Sequence, residues 1–185
     1  RMLTYPHADM EALEKQLAKI PDSAGRLIVT DGVFSMGGDI ANLPEICHLA
    51  KKYGARVMVD DAHALGVIGE GGRGTASYFG LEDQVDIYMG TFSKSLASLG
   101  GYMAASKEVV NYVMHTSRPY IFCASIPPAN CAVALTALRI IRRDPSIVTR
   151  LSDLAAYARK GFHARSIPII DADTPIIPIY TYSEE

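Results

Sequence analysis

Val85-Asp-Ile-Tyr-Met-Gly-Thr-Phe-Ser-Lys-Ser95 runs from an apolar segment into small and hydroxyl residues around one lysine. An apolar run closed by a glycine reads as a buried strand, and Lys94 falls where that strand gives way to a loop. Set between Thr91, Ser93 and Ser95, it is poorly placed to be a solvated surface charge. Two other runs have the same form. Val57-Met-Val-Asp-Asp-Ala-His63 is an apolar strand that ends in acids and an imidazole. Arg26-Leu-Ile-Val-Thr30 is another, opening into Asp31-Gly-Val-Phe-Ser-Met-Gly-Gly-Asp39. These runs are apolar on successive residues, as expected when both faces of a parallel sheet are covered.

Around these strands the pattern alternates with helices. Residues 8–20 carry Met10, Leu13, Leu17 and Ile20 at helical spacing, with Asp9 or His7 near the start and Pro21 after the end. Residues 44–53 form a helix with Pro44 in its first turn and Lys51 and Lys52 in its last. Strands are expected at 55–60, 85–90 and 101–105, helices at 107–115, 127–143 and from Asp144-Pro145 to about 162. Residues 118–123 read as extended, and 176–182 as a late strand limited by Pro178. Alternating strand and helix predicts an α/β fold with a largely parallel sheet. Two parts are expected, 1–145 as a large domain and 146–185 as the start of a smaller one.

The bulk numbers set limits. A chain of 185 residues, 49% hydrophobic and 21% charged, has the balance of an ordinary globular protein. A net charge of -2 gives no reason to expect nucleic acid or an anionic membrane as partner. Cys47, Cys123 and Cys131 are too few and too scattered for a disulfide framework or a zinc site. They fit reduced thiols and a cytoplasmic location, with no metal. No run approaches the length of a membrane span.

In open α/β sheets ligands bind outside the carboxyl ends of the strands, and three strands here aim polar residues at such ends. An amine, Lys94, and an acid with an imidazole, Asp60 and His63, are the parts a pyridoxal phosphate (PLP) site needs. The lysine forms the Schiff base and the carboxylate keeps the pyridine nitrogen protonated. Alone, Asp60 would read more simply as a cap or a structural ion pair, and His63 as a loop histidine. Together with Lys94 they point to the cofactor, His63 suiting its phenolic oxygen or a place stacked near the substrate. Thr91 and Ser93 flank Lys94 and suit a phosphate. Ser35 suits the ring or a plain turn. Ser125, before Pro127-Pro128, suits a phosphate near a helix N-terminus or a plain cap. Gly69-Glu-Gly-Gly-Arg-Gly74 matches G-x-G-x-x-G in letters only. The dinucleotide fingerprint must follow a strand directly and open a helix, and neither is expected here.

Taken in order, several stretches resemble the α-oxoamine synthases, fold-type I PLP enzymes that condense an amino acid with an acyl-CoA thioester. They are Val29-Thr-Asp-Gly-Val-Phe-Ser-Met36, Val59-Asp-Asp-Ala-His63, Gly69-Glu-Gly-Gly-Arg-Gly74, Gly90-Thr-Phe-Ser-Lys94, Arg118-Pro-Tyr-Ile-Phe122 with Ser125-Ile-Pro-Pro128, and Thr174-Pro-Ile-Ile-Pro178. The resemblance covers the whole chain. It implies a fold-type I, aminotransferase-like large domain and the start of a small α+β domain. Lys94, Asp60 and His63 would be catalytic and hold PLP, with Ser35, Thr91 and Ser93 on its ring or phosphate. Ser125 would reach the phosphate of the partner subunit, which implies a homodimer with the site at its interface. Substrates would be glycine, alanine or serine and an acyl-CoA, with CoA released and usually CO2. Serine palmitoyltransferases, aminooxononanoate synthases and glycine C-acetyltransferases all share parts of these motifs. The family's N-terminal portion, with its ring-stacking aromatic residue, and the carboxylate-binding arginine of its C-terminal domain have no counterpart here. The chain is expected to be the middle of a longer enzyme. Another fold-type I enzyme, such as an aminotransferase, and a non-catalytic subunit of this fold are the alternatives.

Overall fold

A computed structural model describes residues 2–181. Four strands make one sheet in the order β1-β2-β3-β4: β1 is Leu27–Asp31, β2 Arg56–Asp60, β3 Ile87–Thr91 and β4 Gly101–Ala105. The first three are parallel, and β4 runs antiparallel to β3. A largely parallel α/β sheet is therefore what the chain forms. The pairing is in register at the site end, Asp31 opposite Asp60 and Asp60 opposite Met89.

Two helices cover one face. In α1, Met10–Leu17, Asp9 caps the start by accepting from Ala12 N at 2.8 Å, and Leu13 and Leu17 are buried. In α2, Leu43–Tyr53, Asn42 caps the start and Gly54 closes the end at φ 62°. Leu43, Ile46, Leu49 and Ala50 pack with Ile28, Val57 and Val59 into the main core. Arg26 clasps this layer, donating to Ile20 O at 2.6 Å and to Tyr53 O at 2.7 Å. The other face is open: Leu27 is 52% and Val29 53% exposed.

Beyond β2 come the short helix α3, Thr75–Phe79, and beyond β4 the helices α4, Lys107–Thr116, α5, Arg118–Phe122, α6, Pro128–Arg143, and α7, Ser146–His163. Three expectations are corrected. Residues 118–122 are helical, since Pro119 sits in the first turn, where its missing N–H costs nothing, and Ile121 N reaches Ser117 O at 2.9 Å. A helix does open at Gly74, although no strand precedes the glycines directly. Residues 176–181 form no strand, and Tyr182 lies outside the described residues. That segment is held by side chains instead: Arg159 donates to Thr174 O and to Ile176 O, and Thr174 Oγ1 donates to Gly38 O at 2.5 Å. Ile176 packs on a second small core of Val33, Ala64 and Ile68. Among the described residues no helix is long and apolar enough to cross a membrane.

Candidate active site

Three loops leave the carboxyl ends of β1, β2 and β3, and backbone bonds tie them together. Gly32 N donates to Asp60 O at 2.8 Å, so the first loop starts against β2. Asp61 N donates to Met89 O at 2.8 Å, and Ala64 N and Leu65 N both reach Asp61 O, which makes the tight turn that carries His63. The third loop closes on itself through Phe92 N to Gly100 O at 2.8 Å and Ser98 N to Phe92 O at 2.7 Å. Ser95 Oγ donates to Leu65 O at 2.6 Å, joining the loop of Lys94 to the loop of His63. Gly66 makes this approach possible, since a Cβ there would stand 2.8 Å from Ser95 Oγ.

Side chains alternate between the faces of a strand, so the register decides which residues look the same way. Val57 and Val59 face the helical layer. Asp60 therefore faces the open side, with Asp31 beside it on β1 and Met89 on β3, and Thr91 two residues further on. Asp60 accepts from Ala62 N at 2.9 Å. Thr91 Oγ1 is buried and has no hydrogen-bond partner.

The electrostatics gather the same residues. Asp31 has its carboxyl pushed above the usual range, first by burial and then by the charge of Asp60, while His63 and Lys94 pull it down. One carboxyl thus feels the acid, the imidazole and the amine that the sequence singled out. Lys94, Ser93 and Ser35 are exposed, and Asp60, His63 and Thr91 half-buried. Ser35 lies in the loop after β1, and Ser125 between α5 and α6; both are exposed, and no hydrogen bond joins either to the cluster. The end of α6 nearest Ser125 is nevertheless tied to the Lys94 loop, through Ser98 Oγ to Asn130 O at 2.7 Å.

Two acids went without a role in the sequence reading. Asp31 was visible only as a strand-end residue. Asp61 is 2% exposed, and its carboxylate accepts from Thr75 Oγ1 at 2.7 Å and Thr75 N at 3.1 Å. Burial pushes this carboxyl up, against the pull of the two Thr75 bonds. Small residues around it were the available signal: a Cβ on Gly32 or Gly74 would stand 2.2 or 2.1 Å from its oxygens.

The sequence profile of the aminotransferase class I and II family matches residues 1–185. The chain belongs to this family. Within the aminotransferase class I and II family its relatives are α-oxoamine synthases, the group its motifs resemble. It is 49% identical to a serine palmitoyltransferase of Bacteroides thetaiotaomicron over 100% of this chain and 47% of the relative. It is 47% identical to the 8-amino-7-oxononanoate synthase 1 of Bacillus subtilis over 95% of this chain and 45% of the relative. A solved serine palmitoyltransferase from S. paucimobilis, with a bound PLP–myriocin aldimine, superposes with a TM-score of 0.90 at 36% identity. That match covers 96% of this chain and 47% of the other. The chain thus spans about half the length of the relatives it matches, and its fold is that of the fold-type I transferases.

Proposed function

We propose that this chain is part of a PLP-dependent acyltransferase of the α-oxoamine synthase type, joining glycine, alanine or serine to an acyl-CoA with release of CoA. What supports the reading is that Asp60, His63 and Lys94 fall at and just beyond the carboxyl ends of β2 and β3, on loops joined by Ser95 Oγ to Leu65 O at 2.6 Å. The residues fit the cofactor: Thr91 Oγ1 is a buried donor without an acceptor, which an oxygen of a bound group would satisfy. When bound, PLP supplies an electron sink for the charge that develops at the amino acid's α-carbon.

The chain's own residues divide the remaining work. Lys94 Nζ would hold the cofactor and, as a free amine, would move the proton at the amino acid's α-carbon. The Asp60 carboxylate would hold the ring nitrogen and its proton. His63 would bond the phenolic oxygen, and Ser35, Thr91 and Ser93 would hold the ring or phosphate. Ser125 reaches the phosphate of a partner subunit in a homodimer. Tyr120, Ile121 and Phe122, just before it, are 57%, 49% and 83% exposed, an apolar surface suited to such a contact. Residues from 146 onward begin the smaller domain.

The test is a visible spectrum of the full-length protein with PLP, borohydride reduction and peptide mapping. A pyridoxyl group on Lys94 is expected, as is CoA release with amino acid and acyl-CoA. Lys94→Ala should lower turnover by at least about a thousandfold, the scale of losing a nucleophile and base together. Label on another lysine, or turnover kept by that variant, would refute the assignment.

A further inference from the structure

The PLP reading gives Asp60 the ring nitrogen and leaves the carboxylate beside it without a task. Asp31 ends β1 directly opposite Asp60, in parallel register and on the same open face. Among the described residues no hydrogen bond or ion pair reaches its side chain; the bond from Thr30 Oγ1 goes to its backbone oxygen at 2.9 Å. Two carboxylates side by side repel each other, and the fold keeps the pair with a single donor, Ala62 N, on one of them. A place like this is short of a cation.

We propose that Asp31 is a positioning residue of the cofactor site: its carboxylate adds a second negative charge beside Asp60, so that the pair, and not Asp60 alone, holds the protonated ring. The proposal rests on the PLP reading and adds to it a residue that touches the ring only through Asp60. The groups that face Asp31 are Asp60 on β2, His63 on the turn after it and Lys94 on the loop after β3. On its own loop Asp39 is engaged with His7 at 2.8 Å, and from the N-terminal segment Tyr5 lines the same cavity as Thr30 and Asp31. Among the described residues, His63 and Lys94 are the cationic groups that act on it.

The pH dependence follows with a definite sign. Burial and Asp60 raise the pH at which Asp31 ionises. As pH falls, the second charge is therefore lost earlier than an ordinary aspartate would lose it.

The experiment is a PLP titration of the cofactor-stripped full-length protein, read by cofactor absorbance, for the wild type, D31N and D31E. D31N should bind PLP roughly three- to tenfold more weakly at neutral pH, the size of one nearby charge in a solvent-accessible site. The deficit should shrink toward acid, where wild-type Asp31 is itself neutral, and D31E should recover most of the affinity. D31S removes the same charge with a smaller side chain and carries the same expectation if D31N does not fold. Equal affinity of wild type and D31N at every pH, or a deficit that is constant with pH and unrelieved by D31E, would overturn the role of Asp31. A wild type that gives no cofactor band at all would instead overturn the PLP reading.

Discussion

Asp60 offers its carboxylate to the open end of the sheet, whereas Asp61, one residue on, buries its own against Thr75. The two differ because the strand ends between them, and the chain turns through the bonds of Ala64 N and Leu65 N to Asp61 O. Asp61 accordingly belongs to stability. Replacing it by Ala leaves Thr75 N and Oγ1 without partners in a closed space, and should cost about 1–3 kcal/mol in denaturant unfolding. A double-mutant cycle with Thr75→Val should return a coupling of about 0.5–3 kcal/mol, and a coupling near zero would remove the pair as a structural link. Asp31 predicts the reverse sign. Its carboxyl is raised in the folded state, so its charge opposes folding once pH rises through that raised value, and the opposition is absent in strong acid. D31N should therefore unfold no more easily than the wild type at neutral pH, and gain less than about 1 kcal/mol, since solvent screens a half-exposed pair. That gain should vanish below the ordinary aspartate range; a large loss of stability at neutral pH would mean that Asp31 makes a bond the fold needs. Thr91→Val removes a hydroxyl without a partner, so it should leave stability within about 1 kcal/mol of the wild type while weakening PLP binding. If PLP binds as well to that variant, the hydroxyl has another use.

At the scale of elements, glycines fix how close the loops come. Gly74 sits at φ 94° with Asp61 against its Cα, and Gly32 lies against Asp61 and Thr75. Alanine at either position needs a Cβ where a carboxylate oxygen already stands, and should cost about 2–4 kcal/mol, measured by thermal unfolding. An unchanged melting temperature for Gly32→Ala would show that the Asp61 turn can shift. These elements also show what sequence can tell. β1, β2 and β3 were legible because their apolar runs end at Thr30, Asp60 and Gly90, and their chemistry falls at those ends. Lys94, Asp60 and His63 were legible for the same reason. Helix α5 was not, because Arg118-Pro-Tyr-Ile-Phe122 has the aromatic and branched residues of a strand, although Ile121 N bonds back to Ser117 O in a helical turn. Nor was the loss of the late strand, because Ile176 and Ile177 look like strand residues while Arg159, 17 positions away from Ile176, takes the carbonyls a ladder would use. Asp61 was overlooked because a carboxylate's partner, here Thr75, is 14 residues off and has no local signature.

At the scale of the whole molecule, the edge strand β1 has one covered face and one exposed one. Leu27 and Val29 alternate with the buried Ile28 and Thr30, so β1 is apolar on both sides, although the described residues need it on one. Such two-faced strands belong in sheets covered by helices on both faces. The relatives this chain matches are about twice its length, which leaves room for a second layer. The prediction separates the two situations. Leu27→Ser and Val29→Ser together should destabilise the full-length protein by about 2–5 kcal/mol, the scale of uncovering two aliphatic side chains. The same pair in the 185-residue chain by itself, where these side chains already meet water, should change its stability by less than about 1 kcal/mol. It should also lower the binding of a hydrophobic dye to that chain, because an exposed apolar patch has been removed. A small effect in both proteins would mean that the face stays open in the longer chain. The crevice at Asp31 and Asp60, which lies on that same face, would then be walled by the sheet and the three loops alone.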